Sequence, residues 1–116
     1  MRHKMKYVLL FVILLLAVVF PLALQYRTGS LEGTVADPRG PIAGASVEAR
    51  NLMTGAVLRV NTDATGHYEL KGLRVGRYSL WTEAGGHEPL WILQVFVEPG
   101  QATHRDILLV ARSLVT

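Results

Sequence analysis

Hydrophobic and polar residues alternate at every second position through most of the chain after residue 30. Tyr68 and Leu70, for example, alternate with His67 and Glu69, which is the spacing of a strand with one buried face. Asp, Pro and Gly separate the runs and favour turns, because Asp accepts backbone hydrogen bonds, Pro fixes φ and Gly tolerates positive φ. The pattern predicts short strands at 31–36, 45–50, 57–62, 67–70, 77–84, 90–98 and 103–111. Seven such strands predict an all-β sandwich or barrel.

A long apolar run precedes the strands. The segment 7–24 contains no charged residue, and as a helix it would be about 27 Å long, close to the hydrocarbon core of a bilayer. Arg2, Lys4 and Lys6 precede it, so the positive-inside rule places the N-terminus in the cytoplasm. We therefore predict a signal anchor, a single-pass segment of the cytoplasmic membrane that leaves the C-terminal domain periplasmic or extracellular. The alternative is a secreted protein, cleaved at the weak site 28–30.

The net charge of +3 describes the N-terminal segment and not the strands. Four basic residues precede position 28, and the remainder has one more acidic residue than basic residues. A nucleic-acid-binding domain needs a basic face, so no nucleic-acid partner is expected. The chain contains no cysteine, so the predicted domain has no disulfide and no lipoprotein anchor.

Four short motifs occur in order along the strands: GTVAD at 33–37, GPIAGASV at 40–47, TDATGHY at 62–68 and LRVGRYSL at 73–80. This series resembles the carboxypeptidase regulatory-like domain, and the resemblance covers residue 31 to about residue 110. It implies a seven-stranded, transthyretin-like (prealbumin-like) Greek-key β-sandwich. The predicted organisation is a cytoplasmic basic segment at 1–6, the transmembrane anchor at 7–24, a tether at 25–30, the sandwich at 31–112 and a tail at 113–116.

The repeated phrase Gly-X-Tyr, which ends at Tyr68 and at Tyr78, is interpreted as architecture and not as catalysis. Each Gly closes a turn, and each Tyr enters a strand pointing inward, where its hydroxyl needs a partner at the rim of the core. His67, His87 and His104 do not have the H-x-x-E spacing of a zinc peptidase. We therefore expect no metal, no cofactor and no enzymatic activity.

Asp37 and Asp63 each stand alone in a turn. A calcium loop needs several carboxylates or carbonyls at alternating positions. We therefore expect both residues to cap their turns.

An apolar patch is predicted on the outside of the sandwich. If Tyr78 and Leu80 point inward, Trp81 points outward. If Trp91, Leu93, Val95 and Val97 also point inward, then Leu90, Ile92 and Phe96 point outward. The candidate binding residues are Trp81, Ile92, Phe96 and His87, because exposed apolar patches mark interfaces or ligand surfaces. An error in the assumed register, a bulge, or cover by the tail at 113–116 are the alternatives.

These patterns predict a non-catalytic, membrane-anchored extracytoplasmic module. Its expected role is protein interaction or structural support at the cell envelope, with another envelope protein as the partner. The alternative is a module that binds a glycan or another small ligand through exposed aromatic residues such as Trp81, together with His87. A copurifying protein partner would favour the first role, and glycan binding that Trp81→Ala removes would favour the second.

Overall fold

The computed structural model describes residues 5–15 and 27–113. Residues 5–15 form a helix with exposed side chains, about 16 Å long, which is about half the thickness of a bilayer core. In the described part of the chain, no helix has the length and apolar character needed to cross a membrane. The predicted single-pass anchor at 7–24, and the membrane location that depended on it, were therefore wrong. Residues 16–24 of that prediction, residues 25–26 of the tether and residues 114–116 of the tail lie outside the described residues. Residues 28–30 of the predicted tether belong to a strand.

Residues 27–113 form nine strands. They are β1 (Thr28–Asp37), β2 (Gly40–Pro41), β3 (Ser46–Asn51), β4 (Val57–Asn61), β5 (His67–Arg74), β6 (Gly76–Glu83), β7 (Leu90–Val97), β8 (Ala102–His104) and β9 (Ile107–Leu108). The prediction of seven strands was wrong. The first turn contains the additional short strand β2, and the predicted last strand is divided into β8 and β9. The division occurs where the carboxylate of Asp106, in place of a backbone carbonyl, accepts a hydrogen bond from the N–H of Thr34 (3.0 Å).

The strands form two sheets that face each other. In the five-stranded sheet, β1 is central and pairs antiparallel with β2 and β5 and parallel with β8 and β9. The four-stranded sheet has the order β4-β3-β6-β7. The core between them comprises Leu31, Val35, Ala45, Val47, Ala49, Tyr68, Leu70, Leu73, Tyr78, Leu80, Val95, Val97, Ile107 and Leu109. The predicted β-sandwich is thus confirmed, since alternate side chains of both sheets fill one apolar layer.

Both tyrosines of the Gly-X-Tyr phrases are buried, as predicted. The hydroxyl of Tyr68 donates to the carbonyl of Arg105 (2.5 Å), and that of Tyr78 donates to the carbonyl of Arg74 (2.8 Å). Burial raises the pKa of Tyr68 well above its usual value, because the phenolate would lose its hydration. Both tyrosines therefore hold loops to the core as hydrogen-bond donors.

A bulge in β7 changes which of its residues face outward. Tyr78 lies opposite Val95 and Leu80 lies opposite Ile92, so β7 has one more residue than β6 between these pairs. An extra residue reverses the alternation of side chains beyond it. Ile92 therefore packs against the core, whereas Trp91 (59% exposed) and Leu93 (68% exposed) face solvent. The predicted orientations of these three residues were wrong, and Phe96 faces outward as predicted.

Candidate functional site

A groove on the outer face of the four-stranded sheet is lined by Glu48, Arg50, Ser79, Trp81 and Trp91, and we call it the tryptophan groove. Its volume is about 420 Å³. Glu48, Trp81 and Trp91 lie directly opposite one another on β3, β6 and β7, so the strand register itself places them in a row. The two indole rings meet edge to face, with centroids 6.1 Å apart and planes at 76°.

Two acidic side chains fix the polar edge of this groove. The indole N–H of Trp81 donates to the carboxylate of Glu83, which lies two residues further along β6. The carboxylate of Glu48 lies 3.5 Å from the guanidinium of Arg59, its cross-strand neighbour on β4. Trp81 is thus held by its hydrogen bond to Glu83 and by its edge-to-face contact with Trp91, and Trp91 presents the more exposed ring.

A second groove lies where β3 and β7 end and β6 begins. Its lining includes Leu52, Met53, Arg74, Val75, Arg77 and Phe96, and we call it the arginine groove. Its volume is about 610 Å³. The guanidinium of Arg77 lies 5.7 Å from the centroid of the Phe96 ring, within the range of a cation–π contact.

The loop that forms one wall of the arginine groove is held by hydrogen bonds. The Asn51 carboxamide oxygen accepts from the N–H groups of Met53 (2.8 Å) and Thr54 (2.9 Å). The N–H of Leu52 donates to the carbonyl of Arg77 (2.9 Å). These bonds present Met53 to solvent, 92% exposed, from a loop with a defined shape.

His87 lies in neither groove and joins the two sheets instead. Its Nε2 lies 2.8 Å from Asp37 Oδ2, at the end of β1, and its Nδ1 lies 2.8 Å from the carbonyl of Gly85. Both ring nitrogens face oxygen acceptors, so this geometry favours the doubly protonated imidazolium. The hydrogen bond to Asp37 raises the pKa of His87, and that to Gly85 adds to the effect. The same contact with His87, followed by the N–H of Arg39, lowers the pKa of Asp37.

The stability that the His87–Asp37 pair contributes should depend on pH. The raised pKa of His87 means that its contribution is complete below 6.5 and is lost as the pH rises through the folded-state value. The lowered pKa of Asp37 means that its contribution is present above 3.8 and is lost as the pH falls through its folded-state value. We therefore expect the melting temperatures of wild type and His87→Gln to differ most between these two pH values, and the difference to shrink as the pH rises through the folded-state pKa of His87. Thermal unfolding monitored by circular dichroism measures this difference.

The matched control for the pH prediction is His104→Gln. His104 and Asp106 also form a pair, at 3.0 Å, but both side chains are more than 60% exposed. Such a pair contributes little to stability in water. A His87→Gln difference that stays constant from acid to alkaline pH would contradict the assignment, because it would show that only packing is lost.

The two turn aspartates act as caps, as predicted. Asp37 Oδ1 accepts from the N–H groups of Arg39 (2.8 Å) and Gly40 (3.2 Å). Asp63 Oδ1 accepts from the N–H groups of Thr65 (2.9 Å) and His67 (3.0 Å) and from the hydroxyl of Thr65 (2.7 Å). Within residues 5–15 and 27–113, no three His, Cys, Asp or Glu side chains are grouped closely enough to hold a metal ion.

The sequence model of the carboxypeptidase regulatory-like domain matches residues 30–110, which is well over half of the chain. The chain belongs to the carboxypeptidase regulatory-like domain family. No curated protein matches this regulatory-like domain in sequence. The resemblance carried by the four sequence motifs is therefore confirmed at the level of the family.

Solved structures share the fold of this regulatory-like domain at low identity. The minor pilin GBS52 of Streptococcus agalactiae matches 78% of the chain, with a TM-score of 0.64 and 17% identity. A putative carbohydrate binding protein from Bacteroides uniformis matches 72%, with a TM-score of 0.60 and 17% identity. Catechol 1,2-dioxygenase from Acinetobacter sp. ADP1 matches 75%, with a TM-score of 0.63 and 12% identity.

The matched regions are only part of these proteins. The chain spans 48% of the pilin, 41% of the carbohydrate binding protein and 53% of the dioxygenase. The likenesses establish a fold that occurs in a minor pilin, a putative carbohydrate binding protein and a dioxygenase. The function of the regulatory-like domain has to be argued from its own side chains.

The structure distributes the four predicted binding residues over four places. Trp81 lies in the tryptophan groove and Phe96 in the arginine groove, while Ile92 packs against the core and His87 joins the sheets. Trp81 and Phe96 are on the same face, but Phe96 lies opposite Arg77, four residues or about 13 Å along β6 from Trp81. The predicted single patch is therefore two separate grooves.

Sequence reasoning missed Trp91, Glu48 and Arg50 as members of a site. The assumed alternation placed Trp91 inside, because the bulge in β7 leaves no mark in a segment that is apolar at nearly every position. The sequence did indicate the orientation of Glu48 and Arg50. Both alternate with buried residues on β3, so both face outward. What the sequence did not reveal was that β3 lies beside β6, the strand that carries Trp81.

Proposed function

We propose that this regulatory-like domain is a non-catalytic module that binds a partner protein at the arginine groove. The observation that carries the proposal is the contact of Arg77 with Phe96 beside the exposed loop residues Leu52 and Met53. Arginine, methionine and aromatic residues are the side chains that protein interfaces favour at their centres. The hydrogen bonds of Asn51 hold the loop in shape before binding, which lowers the entropy that binding would otherwise cost.

Charge indicates what kind of protein fits this groove. Arg74 and Arg77 contribute positive charge, and none of the residues that line the groove is acidic. Leu52, Val75 and Phe96 supply the apolar surface of the same groove. The complementary surface is an acidic residue flanked by apolar side chains on the partner, since opposite charges orient two proteins and speed their encounter.

The absence of catalysis in this proposal is supported by how the polar groups of the core are used. The hydroxyls of Tyr68 and Tyr78 donate to backbone carbonyls, and His87 is occupied by Asp37 and Gly85.

The proposal is tested by crosslinking followed by a binding measurement. A photoreactive residue at position 53 of the full chain should crosslink one predominant protein in the source cells, and Arg77→Glu in the same chain should abolish that product. With both proteins purified, Arg77→Glu should weaken binding at least about 10-fold, because it places like charges in contact. Replacing the facing acidic residue of the partner with Lys should restore the affinity of the Arg77→Glu protein.

Arg39→Glu is the matched control. It makes the same charge change in the exposed turn that follows β1, and Arg39 does not line the arginine groove. It should leave both the crosslink and the affinity unchanged. Equal crosslinking by the wild-type and Arg77→Glu proteins would contradict the proposal. Capture of no protein, together with binding to glycans or to lipid vesicles that Arg77→Glu removes, would also contradict it.

A further inference from the structure

The tryptophan groove combines an aromatic surface with hydrogen-bonding groups on the same outer face as the arginine groove, beginning two residues further along β6. Trp91 is 59% exposed on the edge strand β7, and the perpendicular ring of Trp81 stands behind it. Because the N–H of Trp81 is already bonded to Glu83, the position of this ring is set before any ligand arrives. The groove thus contains two nearly perpendicular indole rings in a fixed arrangement, and the ring of Trp91 is the one open to solvent.

The polar side chains of the groove balance in charge. Arg50 supplies donors and Glu48 supplies acceptors, one positive and one negative group on neighbouring outward positions of β3. Ser79 lies directly opposite Arg50 on the neighbouring strand β6. With Arg59 beside Glu48 and Glu83 beside Trp81, the charged groups in and around the groove are two positive and two negative, so the groove is suited to a ligand that carries no net charge.

We propose that the tryptophan groove binds a neutral carbohydrate, with one sugar ring stacked on Trp91 and its hydroxyls bonded to Glu48 and Arg50. A pyranose ring has a face of C–H groups that packs on an aromatic ring, and its rim of hydroxyls both donates and accepts hydrogen bonds. The groove presents both kinds of partner, an aromatic ring at Trp91 for the C–H face and the side chains of Glu48 and Arg50 for the hydroxyls. Its volume of about 420 Å³ lies in the range of small-ligand sites.

The open shape of the groove indicates an oligosaccharide and not a free monosaccharide. The groove lies on the outer face of the sheet beside its edge strand β7 and is not a closed pocket, so a sugar chain can continue beyond Trp91 past this edge. This inference concerns a different surface from the arginine groove. It therefore does not depend on the partner protein proposed above.

The chain contains only two tryptophans, and both line this groove. The intrinsic tryptophan fluorescence of the full chain therefore reports on this groove alone. We would titrate the protein with neutral cello-, malto-, xylo-, manno- and chito-oligosaccharides and confirm each response by isothermal titration calorimetry. At least one series should give a saturable change in fluorescence, with longer oligomers binding more tightly than the monosaccharide.

Three variants distinguish the proposal from a merely structural role of the groove. Trp91→Ala should weaken binding at least about 10-fold by calorimetry, and Trp91→Phe should retain part of the affinity because a flat ring remains. Arg77→Glu, in the arginine groove, should bind the sugar like wild type. Circular dichroism should show that Trp91→Ala is folded, as expected for an exposed residue on an edge strand.

The proposal is overturned if no oligosaccharide produces a saturable response at millimolar concentration. It is also overturned if Trp91→Ala binds sugar as tightly as wild type does, or if tetramethylammonium binds to the groove more tightly than every sugar. Loss of sugar binding would leave the crosslink at position 53 intact, so failure of this inference and failure of the proposed function are separate results.

Discussion

Gly33→Ala is expected to destabilise the domain by about 3 kcal/mol or more, which is a large part of the stability of a domain of this size. A Cβ at position 33 would overlap the carbonyl oxygen of Arg105 and would lie 3.1 Å from the ring of Tyr68. Neither neighbour can move freely. The N–H of Arg105 is bonded to the carbonyl of Glu32 (2.8 Å), and its carbonyl accepts from the Tyr68 hydroxyl.

The expected result is a fall in melting temperature of more than about 10 °C, measured by circular dichroism or calorimetry. Gly85→Ala is the matched control, because no atom lies within 4 Å of a Cβ at that position. Its stability should stay within about 0.5 kcal/mol of wild type. If Gly33→Ala melts together with Gly85→Ala, the close packing of β1 against the turn between β8 and β9 is not present.

Ile92→Asp is expected to destabilise the domain by about 2–4 kcal/mol, because it places a carboxylate against the apolar core. Ile92 lies opposite the fully buried Leu80 on β6. The charge would have to remain partly dehydrated there, or the strand would have to shift. Urea unfolding measures the loss as a lower midpoint with little change in slope.

Leu93→Asp provides the comparison, because it introduces the same charge one residue further along β7. Leu93 is largely exposed, so its replacement should change the free energy of unfolding by less than about 0.5 kcal/mol. Strict alternation along β7 predicts the reverse order, with Leu93 inside and Ile92 outside. A destabilised Leu93→Asp beside an unaffected Ile92→Asp would therefore show that the bulge is absent.

Features that depend on a few neighbouring residues could be predicted from the sequence. Tyr68 and Tyr78 follow turn glycines and begin strands with clear alternation, so their burial followed from spacing alone. Asp37 and Asp63 cap their turns through N–H groups within four residues, which is a local interaction. The sandwich followed from the number of such strands.

Features that depend on how distant strands meet could not be predicted. The segment 90–97 is apolar on both faces, so its alternation carries no information about which face is buried, and the bulge is fixed only by pairing with β6. The division of β8 from β9 depends on a bond between Asp106 and Thr34. The two residues are far apart in the sequence.

The bulge also explains why the candidate site differs from the predicted one. Without it, Trp91 would face the core and Ile92 would lie beside Trp81. With it, Trp91 and Trp81 stand together on the outer face, and Phe96 belongs to the separate groove around Arg77. A single extra residue in β7 thus converts one apolar patch into two grooves of different chemistry.

The orientation of Trp91 is therefore the central claim, and one fluorescence measurement tests it directly. In the Trp81→Phe protein, Trp91 is the only tryptophan, and acrylamide quenching reports how much of its ring solvent can reach. A ring that is 59% exposed should be quenched nearly as efficiently as a free indole, with emission at the long wavelengths of a hydrated tryptophan. Emission at short wavelengths with little quenching would place Trp91 in the core and contradict the account.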